Sequence, residues 1–349
     1  MELKFMTEPA LNPALMSCPH CGEKERIWIH SQQERRYRCA TCRRTFAETR
    51  GTPLFGTHYP AWVVILVVTL LAAGCPVQAI VFAFSIDERT VAAWQRKAGQ
   101  HAQRVQAEVV CNGRLDLGQV QADELYVRTQ WGAAWMATAV CVFSRLFLWG
   151  AVSIERSTNL VEKVVVRVHA AACRGARASI LWVTDGYGGW AQAIRKVFRD
   201  PLYTGRPGRP RLLVWPELHL VQVVKRYTSR RLTAIERRLV IGDWRAAQDV
   251  LLLTQLFVGT FNTAYIERLN ATLRTWIPAL TRRPRTPARY RLHLQAAMFW
   301  TGCVYNFCRV HNTLAGTPAM AAGLTESVWS VRDLLFCFRV KRESLHVVL

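Results

Sequence analysis

The chain has 349 residues, enough for two or three domains, and 51% of them are apolar, which excludes a globally disordered chain. Lysine and arginine number 46 against 24 acids, a formal charge of +22 spread along the chain rather than gathered in one tail. Such an excess repels itself in a compact fold, so a polyanion is expected as partner: nucleic acid first, an anionic membrane as the competitor.

The opening "MELKFMTEPALNP" lacks the apolar core of a secretory signal, so a cytoplasmic protein is expected. Cys18, Cys21, Cys39 and Cys42 then give two C-x2-C pairs separated by 17 residues. Two residues between cysteines let a tight knuckle aim both sulfurs at one ion, and two knuckles complete a tetrahedron. The spacing therefore predicts Zn2+ in a zinc ribbon over residues 1–55, with "RIWIHSQQERRYRC" as its hairpin and His20 as a bystander. A pair of disulfides is the alternative, and it is rare in a cytosolic chain.

Residues 61–84 carry no charge, yet Gly74, Pro76 and Gln78 interrupt them, and the clean run 62–73 is only 12 residues. A membrane span needs about 20. Two short buried helices with a turn at Gly74 are expected instead, and no membrane partner. A third helix over 87–97 has Val91 and Trp94 for an inner face, leaving Arg89, Thr90, Gln95, Arg96 and Lys97 outward. Three helices with a basic third one read as a helix-turn-helix over 56–110 whose outward residues bind DNA; an ordinary three-helix packing unit is the alternative.

From residue 120 the pattern changes. Segments 120–127, 134–143 and 145–154 read as a meander of three strands. A helix over 158–172, a strand over 179–184, a helix over 189–198 and a strand over 218–227 follow, then the helix containing Glu267. The segment "RRLTAIERRLVI" alternates like the second strand of a hairpin after Tyr227. The expected class is mixed α/β, and this order fits a ribonuclease-H-like core with a mixed sheet and flanking helices. The domain spans 115–315, with a basic insertion at about 200–260 and a tail over 316–349.

Three acids stand out. Asp123 lies mid-strand in "VQADELYV", where aspartate is depleted. Its neighbour Glu124 is expected on the opposite sheet face, because the side-chain period of a strand is two. Asp185 ends the fourth strand, where ligands collect in α/β sheets. If the first and fourth strands are adjacent the two aspartates meet, and such a pair repels unless a cation lies between them. Magnesium suits oxygen ligands of this kind, and a third acid from a later helix, Glu267, would complete a two-metal site for in-line phosphoryl displacement. Each acid also has a plain reading: Asp185-Gly186 as a turn, Glu267 as a carboxylate favoured by the helix dipole.

Taken in order, these segments resemble a family. Asp123-Glu124 with Val127, then Val183-Thr184-Asp185-Gly186, then Ile266-Glu267-Arg268-Leu269-Asn270 with Leu273-Arg274 are similar to the DDE transposases of the insertion-sequence-one family. Those proteins also begin with a zinc ribbon and a helix-turn-helix. Tyr305-Asn306 with Arg309 and His311 resembles the end of the catalytic domain in many DDE transposases, and the resemblance covers roughly residues 15–315. It implies Mg2+ or Mn2+ at Asp123, Asp185 and Glu267, and cutting and joining of double-stranded DNA at terminal inverted repeats. It also implies a homo-oligomer, expected as a dimer, that holds both element ends on nucleoid DNA.

On the helix of Glu267, Ile266, Leu269, Leu273 and Trp276 are expected to pack on the sheet, while Glu267, Asn270 and Arg274 face the proposed metal and DNA, the last two as DNA contacts. About 80 residues separate Asp185 from Glu267, longer than in compact members, and this gap holds a second acid, Glu236, without the Asn and Leu-x-x-x-Arg context. It also holds Gly205-Arg206-Pro207-Gly208-Arg209-Pro210-Arg211, similar to an AT-hook in which Arg206, Arg209 and Arg211 would enter a minor groove; a plain linker is the alternative. Two other functions remain open: a metal-dependent nuclease or resolvase on the same core, and a non-catalytic DNA-binding regulator.

Overall fold

The computed structural model describes residues 10–173, 179–203, 208–229, 231–255, 259–281, 284 and 287–337. Strands β1 (Ile27–Ser31), β2 (Arg36–Cys39) and β3 (Thr45–Ala47) form a small antiparallel sheet in the order β1-β2-β3. Tyr37 and Phe46 are buried across β2 and β3 with ring centroids 5.7 Å apart, a minimal core of its own.

The uncharged segment divides as its breakers dictate. Helix α1 (Ala61–Ala72) ends before Gly74, which turns the chain with φ of +87°, and α2 (Val77–Phe84) starts after Pro76. A Cβ on Gly74 would also meet the carbonyl oxygen of Thr275 at 2.8 Å. Among the described residues no helix is long and apolar enough to cross a membrane. Helix α3 (Glu88–Val105) is capped by Asp87, whose carboxylate accepts from the Arg89 amide, and it buries Val91 and Trp94.

The main sheet has six strands. Its members are β4 (Gln119–Thr129), β5 (Gly132–Cys141), β6 (Phe147–Ser153) and β7 (Ile180–Thr184), with β10 (Leu218–Thr228) and β11 (Arg231–Ile241) after a small separate ribbon, β8 (Arg199–Leu202) with β9 (Arg211–Val214). The order is β11-β10-β7-β4-β5-β6. The centre is parallel, β4 beside β7 and β7 beside β10, while β5, β6 and β11 run antiparallel to their neighbours. Helices α4 (Thr158–Ala171) and α5 (Gly188–Val197) connect the parallel strands, as crossovers between parallel strands require.

β7 is short, and its neighbours outrun it. Its last pairs are Thr184 with Ala122 on one side and with Gln222 on the other. Beyond them β4 continues with β5 to Thr129, and β10 with β11 to Thr228. A gap therefore opens over the end of β7 between two β-ribbons.

Helices α6 (Trp244–Thr254), α7 (Ala264–Trp276) and α8 (Arg291–Phe307) complete the layers, followed by the short α9 (Pro318–Ala321) and α10 (Val331–Phe336). α6 covers β7 and β10 through Ala247, Val250 and Leu251, against Leu181, Val183 and Val221. α8 packs along α3 so closely that a Cβ on Gly99 would meet the Ala296 backbone at 2.3–2.6 Å. One apolar cluster runs from Leu54 through α3, the sheet and α8 to Leu335, so the three N-terminal helices share their core with the sheet. Asn306 serves the edge strand β6: its amide accepts from the Phe147 N–H at 2.9 Å and donates to the Phe147 carbonyl at 2.8 Å.

Candidate metal centre and active-site cleft

The four cysteines of the first pattern converge. One sulfur from each of Cys18, Cys21, Cys39 and Cys42 lies within 4.8 Å of the others, with Cys18–Cys42 at 3.5 Å and Cys21–Cys39 at 3.6 Å. A disulfide requires about 2.05 Å, whereas a tetrahedron with Zn–S of about 2.3 Å places sulfurs about 3.8 Å apart. The residues therefore fit a zinc ion. Each knuckle turns through a left-handed residue after its second cysteine, Gly22 at φ +79° and Arg43 at φ +60°. Burial pushes the Cys18 thiol up to about 12, while hydrogen bonds around Cys39 outweigh its own burial and bring it down to about 7. His20 stands outside the cluster, beside Arg44.

At the gap over β7, the register decides which acids meet. Ala122 pairs with Thr184, so Asp123 and Asp185 come level on adjacent parallel strands. Asp123, Glu124 and Asp185 each place a carboxylate oxygen within 4.8 Å of the others. The trans oxygen–oxygen span of an octahedral Mg2+ site is about 4.2 Å, so a divalent ion fits this donor set with small side-chain movements. Burial, then repulsion from Asp185, pushes Asp123 up to about 6; the same two causes push Glu124 up to about 7. Burial and mutual repulsion thus outweigh the cations nearby, a pattern that a bound divalent cation would relieve.

Glu124 joins the two aspartates in spite of strand alternation. It does leave β4 on the face opposite Asp123, but β7 stops at Thr184, and past that end no strand separates the two faces. Arg156, one residue ahead of the Ser157 cap of α4, bridges the gap, 3.5 Å from Glu124 and 3.3 Å from Asp185. Its guanidinium lies over the rings of Tyr187 at 4.3 Å and Trp135 at 5.2 Å. Asp185 is fixed in turn by the Tyr187 amide, which donates to Oδ1 at 3.0 Å.

Glu267 enters the same cleft from the first turn of α7. The cleft has a volume of about 510 Å³, and Asp123, Asp185, Arg156, Lys225 and Glu267 all line it. Glu267 stands apart from the three clustered carboxylates, held by Lys225 Nζ at 2.6 Å and by the Thr263 hydroxyl at 2.7 Å. Burial acts upward on its carboxyl, yet these hydrogen bonds hold it below the usual carboxylate range.

Two side chains set the helix against the strand. Gln121, fully buried on β4, accepts from the Tyr265 and Ile266 amides at 3.0 Å each and donates to the Asn262 carbonyl at 2.7 Å. Thr263 gives α7 no side-chain cap, so Gln121 supplies from the sheet the acceptor that a helix start needs. Asn270, expected toward the metal and DNA, lies on the metal side and is only 1% exposed; it donates to Asp123 Oδ2 at 3.0 Å and accepts from the Thr138 hydroxyl at 2.9 Å. Its place in the sequence, one turn after Glu267, aims it inward at the aspartate.

The other expected contact residues are scattered. Arg89 and Arg96 are exposed on α3, Thr90 and Gln95 are half-buried, and Lys97 reaches the Phe55 carbonyl at 3.5 Å. Arg274 is half-buried on α7. Arg209 is exposed; Arg211 begins β9, paired with Leu202; Arg206 lies outside the described residues. Glu236 sits on β11 between Arg226 and Arg238, away from the cleft, and those guanidiniums pull it down to about 2. Reading the sequence missed Gln121, Arg156 and Lys225. No spacing rule ties Arg156 or Lys225 to the acids. Comparison with protein-family models finds no match, and comparison with the curated proteins finds none either.

Proposed function

We propose that the chain is a DDE-type DNA transposase with a ribonuclease-H-like catalytic core. The observation that carries this reading is the meeting of Asp123 and Asp185 at the ends of adjacent parallel strands, with Glu267 entering the same cleft from a later helix. The strand order β6-β5-β4-β7-β10, with only β5 reversed, is the one such a core requires. The charge of +22 supports a polyanionic partner, and the four-cysteine cluster supports a zinc ribbon at the amino-terminal end.

In this reading Asp123, Glu124, Asp185 and Glu267 would hold Mg2+ or Mn2+, which supplies the charge that activates a water or 3′-hydroxyl nucleophile and steadies the leaving 3′ oxygen. Asn270 orients Asp123, and Gln121 fixes the start of α7, so the acids are held before DNA arrives. Arg156 and Lys225 neutralise the acids at rest and are the cations of the cleft nearest an entering phosphate. Surface lysines and arginines hold the duplex by its phosphates, and two copies of the chain hold the two element ends.

The triad is tested by cleavage of a duplex carrying the DNA that flanks the gene. Glu267→Gln abolishes Mg2+-dependent cleavage and keeps duplex binding, whereas Glu236→Gln leaves both intact. Normal cleavage by Glu267→Gln and its loss in Glu236→Gln would show the assignment to be wrong.

A further inference from the structure

Past the last β7 pair, β10 and β11 leave the sheet together as a two-stranded arm, residues 223–228 against 231–237. Six residues of strand reach about 20 Å. Residues 225–229 and 231–235 are all exposed, so both faces of the arm stand in water. A lone two-stranded ribbon is marginally stable there and gains from a partner that covers it.

The chemistry of the arm says which partner. Among the described residues of the arm and its base, Lys225, Arg226, Arg231, Arg237 and Arg238 stand against one acid, Glu236. Lys225 is held by Glu267 of α7, Arg226 and Arg238 share Glu236, and Arg237 donates to the neutral Phe261 carbonyl at 2.9 Å, so the cations still outnumber the acids. Tyr227 pairs with Leu232, and Lys225 with Ile235. These three apolar side chains are 61%, 49% and 41% exposed, and by register they share the face of Val223 and Lys225, which line the acidic cleft. A cationic ribbon with an aromatic side chain fits a duplex, whose major groove, about 12 Å wide, admits two strands. A second copy on the same face would set like charges together.

We infer that the β10–β11 arm grips the duplex whose phosphodiester enters the cleft, with its arginines on flanking phosphates and Tyr227 against the sugars or bases. This rests on the reading of the cleft as a DNA-processing site.

The test is the affinity of the full chain for a short duplex, measured by fluorescence anisotropy over a range of salt. Arg226→Gln with Arg231→Gln lies wholly on the exposed arm, and Arg238 still holds Glu236. The slope of log affinity against log salt becomes shallower by about 1.8, two phosphates at about 0.9 each, and binding near physiological salt weakens about 30-fold. Tyr227→Ser weakens binding with the slope unchanged. Wild-type slope and affinity in the double variant overturn the arm's role alone. So does a changed self-association with duplex binding intact, which assigns the arm to a second copy. A wild-type chain without salt-dependent duplex affinity overturns the DNA-processing reading and the arm together.

Discussion

Gln121→Leu tests how the start of α7 is held against β4. The substitution keeps the side chain's approximate volume and removes three hydrogen bonds: two accepted from the Tyr265 and Ile266 amides and one donated to the Asn262 carbonyl. Ile266 is fully buried, so its amide has no access to replacement water, and an orphaned buried group costs about 1–3 kcal/mol. Tyr265 and Asn262 are half-buried, and water recovers part of their loss. The sum expected is about 2–4 kcal/mol, confined at first to the first turn of α7. Hydrogen exchange read by mass spectrometry would show the segment 262–268 losing protection while β4 and β7 keep theirs. Mn2+ bound by Asp123, Glu124 and Asp185 would be retained, because none of those carboxylates touches Gln121 in the hydrogen-bond pattern of the cleft. Unchanged protection over 262–268, with less than about 0.5 kcal/mol lost on chemical unfolding, would refute the idea that the sheet caps this helix.

Three further outcomes follow from the geometry. Gly99→Val drives a side chain into the Ala296 backbone, where a Cβ would already lie at 2.3–2.6 Å, and should cost at least about 3 kcal/mol in thermal unfolding. Elemental analysis should find one equivalent of zinc in the wild-type chain and none in Cys39→Ser, whose residues 10–50 should become open to proteolysis while the six-stranded sheet stays folded. His101 is 5% exposed beside the Leu334 carbonyl, and burial, with Arg104 nearby, lowers it from 6.5 to about 4. The folded chain therefore holds this imidazole neutral where the unfolded chain protonates it. Its contribution to stability is complete above pH 6.5 and falls away as pH drops toward 4, on the order of 3 kcal/mol. His101→Gln should flatten that part of the stability profile; an unchanged pH dependence would contradict it.

Much of the fold was legible because local chemistry and tertiary structure agree. The C-x2-C pairs, the break at Gly74 and the alternation through residues 120–154 each name their own element, and the order of strands and helices predicts a mixed sheet with flanking helices. The ribbon of β8 and β9 and helices α6 and α8 were not read, since the first lies in a segment rich in Pro and Gly and α8 is apolar on nearly all sides, which hides helical periodicity. In the site, the meeting of Asp123 and Asp185 follows once the first and fourth strands are adjacent, and the pairing of β4 with β7 supplies that condition. The place of Glu124 does not follow, because alternation sends it to the opposite face, and that face is separated from the aspartates only as far as the neighbouring strand runs. Asn270 was seen for its helical spacing on the side of the proposed metal, but its partner was not: helix phase fixes which residues align, and only packing shows that Asn270 is buried against Asp123. Arg156 and Lys225 come to the acids through loop and ribbon geometry that no spacing encodes.

The central claim is that the carboxylates over the end of β7 carry out metal-dependent chemistry on DNA strands. The most direct measurement incubates the full chain with Mn2+ and a duplex of the gene's flanking DNA, and follows joining of that strand's 3′ end to a target plasmid. The account predicts joined product from the wild-type chain and none from Asp185→Asn, which still binds the duplex. Joined product from Asp185→Asn at the wild-type level would contradict it.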